Sequence, residues 1–418
     1  MSGFEDPNAP IEVVDVAIVG GGMVGASLAV ALRPLGLRVA LVEAVAHDSA
    51  AQPSFDERTT ALSNGSRRIL ETLGVWADVR DAATPIAKIH VSDRGRFGFA
   101  RIDAREQGLE AMGYVVPNRA LGSALWSRLP GSEGLRVFCP GEVRRIEPRE
   151  AAVDLEAATS GGAPARLRAR LIVAADGARS TVRGAFGVEA KVRDYEQTAV
   201  ITTVLPQRFH EHVAYERFTP SGPLALLPLA DGRCTLVLTL THAAADAAMG
   251  WSDARFLAEV QDRFGHRLGR FLQVGRRVPY PLALTRADAT SAGRCAVIGN
   301  AAQGLHPVAG MGFNLGLRDV ASLAELLADG RREPGFDPGS RALLDGYDAW
   351  RAADRGGVIA FTDGLVRTFS SPLGVVQRLR NLGLLAFDLL PPAKAALSRL
   401  STGSSGRIPK LARGVALS

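Results

Sequence analysis

Cysteine is nearly missing from this 418-residue chain: three residues, Cys139, Cys234 and Cys295, stand far apart with no Cys-x-x-Cys pair. That spacing excludes a disulfide framework and a zinc cluster, and it suits a reducing compartment such as the cytoplasm. Lysine and arginine are absent from the first 32 residues, and the apolar stretch there has neither a basic flank nor a small-residue cleavage site, so no signal peptide is expected. The uncharged run Val16–Leu32 is almost long enough to span a bilayer, but three consecutive glycines inside it argue for a soluble β–α unit. No basic stripe interleaved with aromatic residues is found, which speaks against a nucleic-acid partner. Internal repeats, low-complexity tracts and local Ser/His/Asp motifs are lacking too.

What is present is ordinary globular composition, with 47% hydrophobic and 22% charged residues. At about 100–200 residues per domain the length suggests two or three domains. The formal charge of +6 sits entirely in residues 369–418, where seven basic residues face one acidic residue, Asp388. A charged chain end of this kind usually reads as a solvated, flexible tail. Here it also holds the apolar run Val375–Leu390, with Arg378 and Arg380 inside it. That mixture reads equally as an interfacial helix near anionic lipid or as an ordinary packing helix.

The opening segment is the most informative. Val13–Val19 is a short β-branched run of the kind found in buried parallel strands, and an apolar helical stretch follows at Ala26–Leu32. Between them lies Gly20-x-Gly22-x-x-Gly25. Gly20 permits a tight turn, Gly22 lets the backbone approach a pyrophosphate, and Gly25 allows close packing of helix on strand. Phosphates would rest on the helix N-terminus, where unpaired N–H groups and the helix dipole favour anions. Glu43 closes the second strand, Leu37–Val42, 18 residues past Gly25. A carboxylate there accepts hydrogen bonds from ribose hydroxyls and repels a 2′-phosphate, so FAD or NAD is expected rather than NADP.

Two further segments bear chemistry. Leu171–Ala175 reads as a strand running into Asp176-Gly177-Ala178-Arg179-Ser180. Cys295–Ile298 reads as a last strand, followed by Gly299-Asn300-Ala301-Ala302-Gln303, His306-Pro307, Gly310-Met311-Gly312-Phe313-Asn314 and a long helix from about Leu315 to Ala328. Glycines ahead of a helix leave backbone N–H groups that can stabilise negative charge on a bound ring system. Asn300 could bond a polyol chain. Between these segments Thr198–Leu240, rich in Thr, Val and Leu and broken by turns, suggests an antiparallel sheet, while residues 159–164 suggest a hairpin. His210-Glu211-His212 would put two histidines on one face of a strand, more readily an exposed edge than a metal site.

In this order and spacing the three segments resemble the class A flavin monooxygenases, and within them the ubiquinone-biosynthesis hydroxylases. The His306-Pro307 to Asp319 stretch and Gly299-Asn300-Ala301-Ala302-Gln303 are similar to the branch acting on 2-polyprenyl-6-methoxyphenol, as are Val91–Gly95, Phe218 with Gly222–Leu229, and Tyr280-Pro281-Leu282. Met311 stands where these hydroxylases usually carry Gln, and Asn300 where sister branches carry Asp.

The resemblance implies an α/β fold with an α+β insertion of the p-hydroxybenzoate-hydroxylase type. A discontinuous Rossmann-type FAD domain would comprise residues 12–80, 114–188 and 286–360. An antiparallel substrate sheet would comprise 81–113 and 189–285, and 361–418 would form a helical, basic C-terminal tail. It implies FAD contacts at Gly20, Gly22, Met23, Val24, Gly25, Glu43, Arg58, Asn118, Arg119, Asp176, Gly177, Asn300 and Gly310. The catalytic ring-side loop would be Pro307, Gly312, Phe313 and Asn314, the last three also touching the flavin. The activity implied is insertion of one oxygen of O2 into a polyprenyl phenol through a C4a-hydroperoxyflavin, with NAD(P)H as reductant and no metal. The same FAD segments would also serve a prenyl reductase or a different phenol hydroxylase. A membrane surface or a ubiquinone-biosynthesis complex is the partner implied, with the enzyme cytoplasmic or peripheral at the inner membrane. His306 receives no role.

Overall fold

The computed structural model describes residues 10–49, 52, 58–96, 98–160, 164–305, 310–370 and 406–418. Its first strand, β1 (Glu12–Val19), ends in residues buried on both sides, as a parallel strand covered by helices must be. The helix α1 (Met23–Leu32) returns the chain to β2 (Val39–Val42), which pairs with β1 in parallel. Cys295–Val297, Ala165–Ala174, β1, β2 and Leu135–Phe138 lie side by side in that order, all parallel. The sheet is therefore completed by a strand from late in the chain. The turn-rich residues 159–164 join Val153–Thr159 to Ala165–Ala174, and these strands pair antiparallel.

A nine-stranded sheet carries the second half of the architecture. It is antiparallel apart from one pair, Lys88–Asp93 beside Val213–Thr219. Strand alternation divides its side chains cleanly. On one face Val200, Leu224, Leu226 and Leu238 pack against Phe256 and Val260 of the helix Asp253–Phe264. The other face turns toward the nucleotide sheet. There Thr235 Oγ1 meets Thr59 Oγ1 at 3.0 Å, and the Arg58 guanidinium lies 5.1 Å from the centre of the Tyr280 ring. A three-stranded sheet of Thr59–Ser63, Gly113–Pro117 and Thr84–Ile86 wedges between the two, packing Val115 and Ile86 against Ala214 and Ile102. Gln303–Gly304 adds a further tie by pairing with Val278–Ala287.

The C-terminal part departs from expectation. The long helix Arg341–Ser370 runs unbroken across the 360/361 boundary, so the expected tail begins inside an element. Residues 406–418 are no solvated end: Leu411, Ala412 and Leu417 join the main hydrophobic core. Arg407 pairs with Glu325 at 3.2 Å and lies over Trp350, while the Lys410 ammonium meets Asp329 at 2.5 Å. Glu325 and Asp329 sit near the C-terminus of the helix Met311–Gly330, where the dipole disfavours carboxylates, and the two basic residues offset that. Part of the basic excess is thus spent inside the fold. Val375–Leu390 lies outside the described residues. Among those described, no helix is long and apolar enough to cross a membrane.

Candidate active site

The glycine turn is built by contacts no side chain would survive. Gly20 has φ +102°, and a Cβ there would stand 2.4 Å from the carbonyl oxygen of Ala175. A Cβ on Gly25 would stand 1.8 Å from the carbonyl oxygen of Gly20. The turn therefore folds tightly over the end of the Ala165–Ala174 strand and brings Asp176-Gly177 beside it. Glu43, buried at the tip of β2, accepts from the N–H groups of Gly21 at 2.5 Å and Val45 at 2.9 Å, with Gln52 Nε2 at 3.4 Å. Trp126 closes the far side: its Nε1 donates to the Gly21 carbonyl at 2.9 Å and its ring stacks on His47.

Helix capping picks out the ligand-facing ends. The helices starting at Asn64, Thr181, His242 and Asp253 each have a Ser or Thr whose hydroxyl accepts a first-turn N–H. The helices starting at Met23, Asn118 and Met311 have none, and no acidic residue in the first turn either. Their N-caps are Gly22, Pro117 and Gly310. Those first-turn N–H groups need acceptors from elsewhere. Two of these helices are neighbours: a Cβ on Gly316 would reach Val24 at 2.9 Å, and one on Gly299 would reach it at 3.0 Å. Two bare, electropositive helix ends and a fixed carboxylate at the tip of β2 fit an anionic dinucleotide carrying a ring system. FAD is such a group.

At the ring-side end, Gly310 takes the left-handed conformation (φ +60°) and starts the helix Met311–Gly330, three turns of which pack on the core. A Cβ on Gly312 would meet nothing within 4 Å, so this turn opens into space. Phe313 packs against the main core and is half-buried. The Asn314 amide is fully engaged: Oδ1 accepts from Ser63 N at 2.8 Å, and Nδ2 donates to the carbonyls of Ala61 at 2.8 Å and Gly310 at 2.7 Å. The Asn314 side chain thus serves the fold, and the first-turn backbone N–H groups are what this described turn offers a ligand. Met311 is buried with Leu315, Leu305 and Val358.

Other expected residues are dispersed differently. The Asp176 carboxylate is committed to the helix Thr181–Ala185, accepting from Ser180 Oγ, Thr181 N and Val182 N. Asn118 is buried and accepts from Thr60 Oγ1 at 2.7 Å, whereas Arg119 and Asn300 are exposed. Pro307 and His306 lie outside the described residues. His210 is neither exposed nor on a strand: Glu211 and His212 have φ of 51° and 58°, and the turn they make buries His210 against the Leu229 carbonyl, with Nε2 at 2.9 Å. Burial lowers its pKa, which suits a neutral ring bonded to backbone. Among the described residues no cluster of His, Cys, Asp or Glu could hold a metal.

One buried network escaped sequence reading. The Asp319 carboxylate accepts from Gly299 N at 2.9 Å, Gln303 Nε2 at 2.7 Å and the fully buried Arg351 Nε at 2.7 Å. Arg351 also pairs with Asp354, which pairs with Arg318 at 2.7 Å. Asp319 therefore fixes the whole Gly299–Gln303 turn beside Val24. The Arg-x-x-Asp-Arg pattern at 351–355 resembles any charged helix face, so no local signal marked it.

A family model for an FAD binding domain matches residues 13–362, and ubiquinone hydroxylase UbiL of Rhodospirillum rubrum is 38% identical over 97% of this chain and 94% of its own. The chain belongs to the FAD-binding monooxygenases. This flavoprotein is also similar to 3-demethoxyubiquinol 3-hydroxylase of Escherichia coli, 32% identical over 91% of this chain and 95% of that one. Among solved structures, p-nitrophenol 4-monooxygenase PnpA from Pseudomonas putida superposes with a TM-score of 0.76 at 22% identity, covering 95% of this chain and 100% of that one. The fold is that of p-hydroxybenzoate hydroxylase, and the activity is that of an FAD-dependent aromatic-ring hydroxylase.

Proposed function

We propose that this enzyme hydroxylates a 2-polyprenyl-6-methoxyphenol-type precursor of ubiquinone, with NAD(P)H as reductant and O2 as oxygen donor. The observation that carries the reading is the sheet face turned toward the nucleotide part. Its central row of Val91, Ala225, Val237 and Ile201 is apolar and only half-buried, broken by one carboxyl, Glu216, between Val91 and Ala225; such a wall suits an apolar phenol rather than an aromatic acid. The hydroxylases of ubiquinone and demethoxyubiquinol among its relatives point the same way. Bound FAD would supply dioxygen activation at the expense of a nicotinamide hydride. The first-turn N–H groups of Met311–Phe313 would hold negative charge at the ring edge, those of Met23–Gly25 would hold the pyrophosphate, and Glu43 would hold the ribose. The apolar face excludes water from the reacting ring.

A polyprenyl substrate resides in lipid, so we place the enzyme in the cytoplasm at the inner-membrane surface, or in a complex docked there. Complementation tests the substrate. The gene is expressed in ubiquinone-deficient strains that each lack one ring hydroxylase, and accumulated precursors are identified by mass spectrometry. Return of ubiquinone with loss of a methoxyphenol-level intermediate is expected in one strain and names the ring carbon. Unchanged accumulation in every strain, with FAD-loaded protein present, refutes the assignment. Co-sedimentation with vesicles containing anionic lipid tests the location, and protein left wholly in the supernatant refutes surface binding.

A further inference from the structure

The mechanism so far lacks a group that handles the phenolic proton. The strand Val213–Thr219 lies inside the nine-stranded sheet, between Gly222–Pro228 and Lys88–Asp93. Its side chains at 215 and 217 face the helices: the Tyr215 ring meets Phe264 edge-on at 5.4 Å, and Arg217 Nε donates to the Arg263 carbonyl at 2.9 Å. Alternation turns Glu216 to the opposite face. There its cross-strand neighbours are Val91 and Ala225, and the row continues through Val237 and Ile201.

This is the face that looks onto the ring-side loop. Two residues along the strand, Ala214 packs in one cluster with Val115 and Ala61. Ala61 in turn borders Gly310 and accepts the Asn314 amide at 2.8 Å. Glu216 is half-buried: the sheet packs closely around it, and part of the residue keeps accessible surface.

Among the described residues no hydrogen-bond partner and no cation faces the Glu216 carboxyl. Other charged groups on this face are Asp93, two positions beyond Val91, and Arg58 at the Tyr280 end. A carboxyl buried without a partner is costly to the fold and is characteristic of functional sites. Desolvation pushes it up to about 7, in the range where a carboxylate serves as general base at neutral pH.

We propose that Glu216 is the catalytic carboxylate that accepts the proton of the substrate's phenolic hydroxyl. The O–H bond breaks, the proton passes to a Glu216 Oε, and the electron pair left on oxygen enriches the ring carbons ortho and para to it for attack on the oxygen donor. No oxidant or reductant enters this step, and the proton returns to solvent afterwards. The assignment rests on the phenol reading above.

The test uses the full-length, FAD-loaded enzyme and the variants Glu216→Gln and Glu216→Leu. The probes are 2-methoxy-6-prenylphenol, its methyl ether, and a ring-fluorinated phenol analogue with a more acidic hydroxyl. Binding is read from the perturbation of flavin absorbance, and retained flavin colour reports the fold. The wild type is expected to bind the phenol about tenfold or more tighter than the ether, as a hydrogen bond to a charged group implies. Glu216→Leu should bind both alike. Glu216→Gln should hydroxylate the phenol about 10²–10⁴-fold more slowly, as loss of a general base implies. That deficit should shrink on the fluorinated phenol, which needs less help to ionise. Equal turnover by wild type and Glu216→Gln, or an equal deficit on both phenols, overturns the role of Glu216 while leaving the function intact. A wild type that binds and hydroxylates no phenol overturns the functional reading and this assignment with it.

Discussion

Replacing Glu216 by Gln should make the protein more stable at alkaline pH, even as it loses activity. Burial raises the carboxyl from its ordinary 4.5 to about 7. The folded state therefore keeps a proton that the unfolded chain releases between those values. Stability falls as pH rises through that window and stays reduced above it. At about 1.4 kcal/mol per pH unit, the full penalty is about 3 kcal/mol. Glutamine mimics the protonated form at every pH and escapes it. Unfolding entropy of about 2 cal/mol/K per residue makes each kcal/mol worth about 1 °C in a chain of this length, so the variant should melt about 3 °C higher at pH 8.5. At pH 5 the gap should shrink to less than about 1 °C. The assay is thermal unfolding of both proteins, saturated with FAD, at the two pH values. A gap that is the same at pH 5 and pH 8.5, or a wild type that melts higher than the variant at pH 8.5, refutes the claim that Glu216 is held desolvated and unpartnered.

Other substitutions probe the frame of the site. Gly25→Val drives a side chain into the Gly20 carbonyl and should yield folded protein without flavin; stoichiometric yellow protein on purification would contradict the placement of the pyrophosphate. Glu43→Arg should likewise strip FAD, read by absorbance after gel filtration. Asn314→Ala removes two hydrogen bonds from the ring-side helix to the strand Thr59–Ser63 and a third to the Gly310 carbonyl at the helix start, costing about 2–3 kcal/mol at roughly 1 kcal/mol each; an unchanged melting midpoint would show the staple to be dispensable. Arg351→Met leaves Asp319 buried without its cation, and a loss of about 3–5 kcal/mol is expected in denaturant unfolding.

The strand–glycine–helix opening was legible because its chemistry is local. Gly20, Gly25 and Glu43 each meet their constraint within one turn of the chain or at the end of a strand. The antiparallel sheet could be read from its β-branched runs, but not the parallel pairing of Lys88–Asp93 with Val213–Thr219, which depends on segments far apart in sequence. The capping role of Asp176 is not legible, because an Asp-Gly after a strand looks the same whether or not it caps the next helix. Only the fold shows that the Asn314 amide is spent on Ser63, Ala61 and Gly310, since the first two lie on a strand 251 and 253 residues away and the third is the helix cap. Glu216 was invisible. A Glu-Arg pair in mid-strand reads as solvated charge, and nothing local reveals that Glu216 lies on the face covered by the nucleotide-binding part. Arg351 and Asp319 were hidden for the same reason, since each alone reads as a solvated charge.

Residues 406–418 dock onto the helix Met311–Gly330, so the C-terminal end of the chain is a working part of the flavin-binding half. Truncation before 406 should destabilise the fold, because it withdraws Leu411, Ala412 and Leu417 from the core and leaves Glu325 and Asp329 facing a helix dipole without their cations. A deletion series from the C-terminus should thus lose the fold before it passes residue 406.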